Sequence, residues 1–149
     1  MESNMDWNSW KRRWHKLAEE KRNHKTQLKQ EKKKQADEER KLSEIYWPRI
    51  RKVCKAFAKA INGWYEESGG VTVGDYWIFP QCRIITESSS TGEHYIEIFL
   101  KCNGIFVTKG GYTLHWGGES WNAEIGKISF HEFTEEKLAQ LLEKAYKYK

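Results

Sequence analysis

Three tryptophans and a run of cations share the first turns of this chain. Lys11, Arg12 and Arg13 lie among Trp7, Trp10 and Trp14. Lysine and arginine neutralise phosphates and release their counterions. Tryptophans set among cations can stack on unpaired bases. Lys29, Lys32, Lys33 and Lys34 form a denser basic cluster, and Arg49, Arg51, Lys52, Lys55 and Lys59 continue it. These residue types point to contact with nucleic acid or a ribonucleoprotein. The competing reading is a solvated helix face whose tryptophans dock on a core. Later in the chain, Trp116 and Trp121 flank Gly117-Gly118, and Trp77 lies just before Pro80. They read either as cross-strand aromatic packing or as an exposed anchor patch for a protein partner.

Metal and catalytic chemistry is less clearly marked. Cys82, Cys102, His94, His115 and His131 fall in one region, but without the Cys-x2-4-Cys or His-x3-5-His spacing of zinc sites. Free cysteines packed as small hydrophobes are the default, so no metal and no cofactor is expected. No nucleophile elbow, phosphate loop or dinucleotide fingerprint is present. Glu97, Glu119, Glu124 and His115 are candidate members of a small nuclease or hydrolase site, and nothing in their spacing links them.

The charge is divided unevenly along the chain. The 149 residues carry a formal net charge of +5. Residues 1–66 hold 18 Lys or Arg against 10 Asp or Glu, a net +8, whereas residues 67–149 hold 8 against 11, a net −3. A basic segment of this kind suits a polyanion or an acidic protein surface. Apolar runs such as Tyr76-Trp77-Ile78-Phe79 are far shorter than the roughly 20 residues of a spanning helix, so no membrane is expected. The polar, acidic start shows no secretory signal. Three widely spaced cysteines suit a reducing interior, so the expected location is the cytoplasm.

These residues need elements to position them. Between Lys21 and Lys41 only Leu28 and Ala36 are apolar, and Gly and Pro are absent. Such a stretch builds no core, yet its Lys, Glu, Gln and Arg favour helix. The expected arm is an exposed helix over about residues 6–46, which would span about 60 Å at 1.5 Å per residue. Trp7, Trp10, Trp14 and Leu17 follow 3-4-3 spacing and form one stripe. The stripe needs a partner: the body of the chain, a second copy or another molecule. Pro48 predicts a kink or a new helix, with Ile50, Val53, Cys54, Phe57, Ile61 and Trp64 marking a second helix over 48–67 that Gly69-Gly70 stops.

Strands are predicted at Val71–Phe79, Cys82–Glu87, Tyr95–Leu100, Ile105–Thr108 and Asn122–Phe130, with Ser88–Gly92 as a loop and Tyr112–Trp116 bracketed by two glycine pairs. Alternation in Tyr95–Leu100 puts Ile96, Ile98 and Leu100 on one face. Asn103-Gly104 is a hairpin signal, and Gly110-Gly111 and Gly117-Gly118 read as turns. A last helix begins after Thr134, with Leu138, Leu141, Leu142, Ala145 and Tyr146 as its buried stripe. The expected fold is α+β: an arm over 1–46, then an α-β-β-β-β-β-α body over 47–149 with a mainly antiparallel sheet.

The segment Lys55-Ala56-Phe57 leading to Gly63-Trp64-Tyr65 and Ser68 resembles small phage-encoded anti-CRISPR proteins, in particular broad-spectrum Cas9 inhibitors. The layout is similar too: a basic, aromatic-dotted N-terminal arm, a helix ending near Gly-Trp-Tyr and a compact body. The resemblance implies a non-enzymatic inhibitor that binds a guide-RNA–effector complex in the host cytoplasm and stops DNA binding or cleavage. The expectation is therefore a binding protein, not an enzyme. A rival reading is a dimeric helical scaffold paired through Trp7, Trp10, Trp14 and Leu17, and a small nuclease or hydrolase is third.

Overall fold

The computed structural model describes residues 5–74, 76–101, 104–114 and 118–148. The chain divides into two compact units, residues 1–38 and 39–149. A single helix, α1 (Trp7–Ala60), contributes to both.

In the first unit, α1 starts at Asp6. The carboxylate of Asp6 accepts a hydrogen bond from the Ser9 N–H at 3.3 Å, and its carbonyl accepts from Trp10 at 3.2 Å. This is N-capping by a side chain suited to it. Every residue from Met5 to Gln35 is exposed, as a stretch with so few apolar residues requires.

In the second unit, α1 buries Ser43, Trp47, Ile50, Cys54 and Ala58, whose three- and four-residue spacing puts them on one stripe. The expected new helix at Pro48 is corrected, because Pro48 lies inside α1, which continues to Ala60. The proline removes one hydrogen bond, to the Glu44 carbonyl, and both residues are exposed, so water can solvate that group. The buried residues on either side hold the helix through the gap.

The expected helix end is also corrected. α1 stops at Ala60, and Asn62 adopts φ 56°. The Gly63 N–H donates to the Ala58 carbonyl at 2.8 Å and the Asn62 N–H to the Lys59 carbonyl at 3.3 Å. These two bonds form a Schellman cap, with asparagine in the left-handed position usually taken by glycine. Trp64 therefore begins strand β1 (Trp64–Ser68) and is not the last turn of a helix.

Six more strands follow: β2 (Val71–Val73), β3 (Tyr76–Ile78), β4 (Gln81–Ser89), β5 (Gly92–Lys101), β6 (Gly104–Thr113) and β7 (Ser120–Ile128). The predicted single strand Val71–Phe79 is instead a separate hairpin, β2 with β3, turning at Gly74 with φ 61°. The remaining strands form one antiparallel sheet in the order β1-β4-β5-β6-β7. The expected loop at Ser88–Gly92 shrinks to a tight turn, since Ser89 pairs with Gly92. Of the predicted Asn103-Gly104 turn, Asn103 lies outside the described residues, as does Cys102. Gly104 pairs with Lys101.

Gly110-Gly111 is not a turn. Both residues lie within β6 and are buried. A Cβ on Gly110 would come 2.6 Å from the Tyr95 ring, and one on Gly111 2.8 Å from Trp121 Nε1. Glycine is used here because aromatic rings on the neighbouring strands lie against the backbone.

A short 3-10 turn (Phe130–Glu132) leads to α2 (Glu135–Lys147). Thr134 caps α2, its hydroxyl accepting from the Lys137 N–H at 3.1 Å. The core lies between one sheet face and the helices: Trp47, Ile50, Cys54 and Ala58 from α1, Leu138, Leu142 and Ala145 from α2, and Cys82, Ile84, Ile96, Ile98, Leu100, Ile105, Val107, Ile125 and Ile128 from the sheet. The architecture is α+β, as the residue pattern predicts.

Candidate nucleic-acid interface

The basic tryptophan segment lies on the exposed helix of the first unit. Residues 7–38 hold 11 Lys or Arg against 5 Asp or Glu, a net +6. Helical geometry sorts these charges by face. At about 100° per residue, Lys11, Lys21, Arg22, Lys25, Lys29, Lys32 and Lys33 fall within a sector of about 120°. No acidic residue of this stretch falls in that sector. Glu19, Glu20, Glu31, Asp37 and Glu38 fall in another sector of about 120°, shared with Arg12, Arg13, Lys16 and Lys34. One face of the helix is therefore purely cationic over several turns, and the other is mixed. Predicted site residues Lys11, Lys29, Lys32 and Lys33 lie on the cationic face, and Arg12, Arg13 and Lys34 do not.

Trp7, Trp10 and Trp14 flank the N-terminal end of the cationic face. The Trp7 and Trp14 ring centroids are 6.4 Å apart, edge to face, and those of Trp10 and Trp14 are 5.9 Å apart. The Arg13 guanidinium lies 5.2 Å from the Trp10 ring centre. The indoles nevertheless stay open to solvent, with Trp7 56% and Trp14 48% exposed. They form a cluster whose outer surface is free to meet a partner.

The predicted basic residues of the second unit are engaged differently. The Arg51 guanidinium donates to both oxygens of Glu67, at 2.6 and 3.0 Å. That carboxylate also accepts from Trp47 Nε1 and, at 3.2 Å, from the Tyr65 hydroxyl. The Arg51 hydrogen bond holds the Glu67 carboxyl below its ordinary pKa, against the opposing effect of burial. Arg49 lies 3.6 Å from Glu135 and stacks over Phe133, 4.8 Å from the ring centre. Lys55 Nζ lies 5.6 Å from the Tyr65 ring centre. Lys52 is exposed beside Glu135 and Glu136. Arg49, Arg51 and Lys55 thus tie α1 to its surroundings.

No protein family, curated protein or solved structure matches the chain.

Of the two predicted body tryptophans, Trp116 lies outside the described residues. Trp121 is half-buried, with ring centroids 5.7 Å from His94 and 6.4 Å from Tyr148. Trp77 is half-buried beneath Arg40, whose guanidinium lies 5.4 Å from the ring centre. Both therefore pack intramolecularly.

The other candidate chemistry does not converge. Glu97 pairs with Arg83 at 2.7 Å. Glu97 and Glu124 flank Thr108 from the strands on either side, roughly 10 Å apart at the usual strand spacing. Glu119 is exposed between β6 and β7, and His115 lies outside the described residues. Cys54 and Cys82 are free and buried. Its interaction with Cys82 and its burial push the Cys54 thiol well above its ordinary pKa, so it stays protonated. Among the described residues, no group of three or more His, Cys, Asp or Glu is arranged to hold a metal ion. None of the helices is long and apolar enough to cross a membrane among the described residues.

Lys109, which the sequence pattern missed, is buried in β6. It is 4% exposed, with Nζ 3.4 Å from the Thr86 hydroxyl and 5.9 Å from the Tyr146 ring centre. Burial lowers its pKa, partly offset by Glu87. The alternation of β6 could have placed it inward, but the two glycines that follow read as a turn.

Proposed function

We propose that this chain is a non-enzymatic binding protein that engages nucleic acid or a ribonucleoprotein through the cationic face of residues 7–38. The observation that carries this reading is the segregation of charge on an exposed helix, with a solvent-exposed indole cluster at one end. An acid-free cationic face several turns long matches the regular phosphate spacing of a nucleic acid backbone. A randomly solvated helix has no reason to separate its carboxylates from its ammonium groups.

The most concrete form of the proposal is a phage-type anti-CRISPR inhibitor that blocks DNA binding or cleavage by a Cas9-like effector with its guide RNA. Its support is the resemblance around Gly63-Trp64-Tyr65, a segment that lies at the C-terminal end of α1. The exposure of Trp7, Trp14 and Leu17 favours one second reading, homodimerisation through that stripe.

The test is a binding titration of the full chain against RNA and duplex DNA across a salt series. A fourfold rise in salt should weaken binding on the order of a hundredfold if four or more phosphates are neutralised. Replacing Lys21, Lys25, Lys29 and Lys32 with glutamine should flatten that dependence without altering thermal stability. Binding that ignores both salt and these substitutions would refute the proposal. A salt-resistant dimer that dissociates when the three tryptophans become alanine would establish the second reading. The inhibitor form is checked by adding the chain to a Cas9–guide complex and measuring DNA cleavage.

A further inference from the structure

The helices cover one face of the five-stranded sheet, and the opposite face carries both half-buried and exposed side chains. Strand register places Phe99 of β5 directly opposite Phe106 of β6, and Phe106 opposite Lys127 of β7. The two phenyl rings lie nearly parallel, 7° apart, with centroids 5.6 Å apart. Lys101, on the same face two residues beyond Phe99, places Nζ 5.2 Å from the Phe99 centre and 5.0 Å from the Phe106 centre. Lys127 Nζ lies 5.2 Å from the Phe106 centre. Both lysines are exposed and the rings are half-buried. Neither lysine forms an ion pair with another described residue.

The physical balance at this spot is specific. An ammonium resting over a ring at an exposed site contributes only about 0.5–1 kcal/mol. A planar ligand stacked on the same ring by an extended π-face contributes more. Such a ligand can therefore displace the lysine stems, and the displaced ammonium groups remain within reach of an anion beside it. A flat aromatic ligand with a phosphate next to it is a nucleotide. Stacking on these rings needs a base whose flat face is available, as in an unpaired strand, and bases stacked inside a duplex do not offer one. An acidic peptide would satisfy the two ammonium groups but leave the parallel rings without a purpose.

We propose that Phe99 and Phe106, with Lys101 and Lys127, form a stacking platform for unpaired nucleotides of single-stranded DNA or RNA. This inference rests on the nucleic-acid reading above and adds a second surface with a preference for strand state. The cationic helix face supplies sequence-independent phosphate contacts, and the platform reads whether bases are available.

The test separates the two surfaces. The full chain is titrated with labelled oligothymidine, oligouridine and an abasic strand, each of about ten nucleotides. The abasic strand keeps the phosphates and lacks the bases. Oligothymidine or oligouridine should bind at least about fivefold more tightly than the abasic strand, the lower end expected for one stacked base. Phe106→Leu and Phe99→Leu, which keep apolar bulk, should remove that preference and leave abasic binding unchanged. The relative strengths of the thymidine and uridine strands distinguish DNA from RNA. Lys101→Gln with Lys127→Gln, both at exposed positions, tests the site even if the leucine variants fail to fold. That pair should lower the salt slope for single strands by about 1.4.

Equal binding of oligothymidine, oligouridine and the abasic strand would overturn the platform, as would leucine variants that keep the wild-type preference or an unchanged salt slope in the lysine pair. The four-lysine helix variant should weaken all strands alike. If it instead binds as wild type while the base preference persists, the arm reading fails and the platform stands.

Discussion

Two stretches of the same helix are held by different physics. Over residues 7–38, α1 buries almost nothing, and its helical form rests on propensity, the Asp6 cap and the absence of Gly and Pro. Over residues 39–60, the helix carries an interior proline that local propensity disfavours, yet it continues because Trp47, Ile50, Cys54 and Ala58 are buried against the sheet. Secondary structure looks the same in both. What differs is whether a residue's side chain has anything to lose. In the first stretch the indoles and the cationic face stay exposed, whereas in the second Arg51, Arg49 and Lys55 are committed to Glu67, Glu135 and aromatic rings.

That contrast can be broken by truncating one apolar side chain on each side. Ile50→Ala removes a fully buried side chain and should cost about 2–5 kcal/mol. Leu28→Ala, at an exposed position, should stay within about 0.5 kcal/mol. Urea denaturation of both variants measures the difference. Equal effects would mean that the first stretch is packed in solution, as in the dimer reading.

Glu67 sharpens the second half of the comparison. Glu67→Gln removes the charge that Arg51 and Trp47 share and should cost about 1 kcal/mol, since the pair is partly solvated. The Glu67 carboxyl is held below its ordinary pKa, so its contribution is complete above the unfolded value of about 4.3 and is lost as pH falls through the lower folded value. The stability gap between wild type and Glu67→Gln should therefore be full above about pH 5 and close as pH falls through the lowered folded value. A gap independent of pH would assign the effect to packing.

The helix caps offer a smaller test. Thr134→Ala should cost about 1 kcal/mol of global stability, because α2 is part of the core. Asp6→Ala should reduce helical circular dichroism without moving the main unfolding transition. The smallest effect is expected at Thr108, which is 7% exposed and whose hydroxyl has no hydrogen-bond partner among the described residues. Thr108→Val should raise stability by about 1 kcal/mol or less in the same denaturation assay.

Much of the molecule is legible in its residues. The exposed helix follows from composition, the Thr134 cap and α2 from local pattern, and the inward face of β5 from strict alternation. Local pattern fails where a distant element decides. Pro48 reads as a break until the buried residues around it are known. Gly110-Gly111 reads as a turn until Tyr95 and Trp121 are seen against the backbone. Trp64 reads as one more residue of an apolar helical stripe, but Asn62 reverses the chain two residues earlier.

The candidate surfaces divide in the same way. The cationic helix face was present in the sequence, because helical spacing alone decides which residues share a side when no tertiary contact intervenes. The stacked phenyl rings were not, because Phe99 and Phe106 meet only through the register of two strands, and the lysine beside them comes from a third. The sequence by itself determined the helices, the caps and the charge asymmetry, all of which depend on neighbours within a few residues. Tertiary structure alone decided that α1 runs on through Pro48, which glycines lie in strands and which aromatics stand together on the sheet, since each depends on groups far apart along the chain.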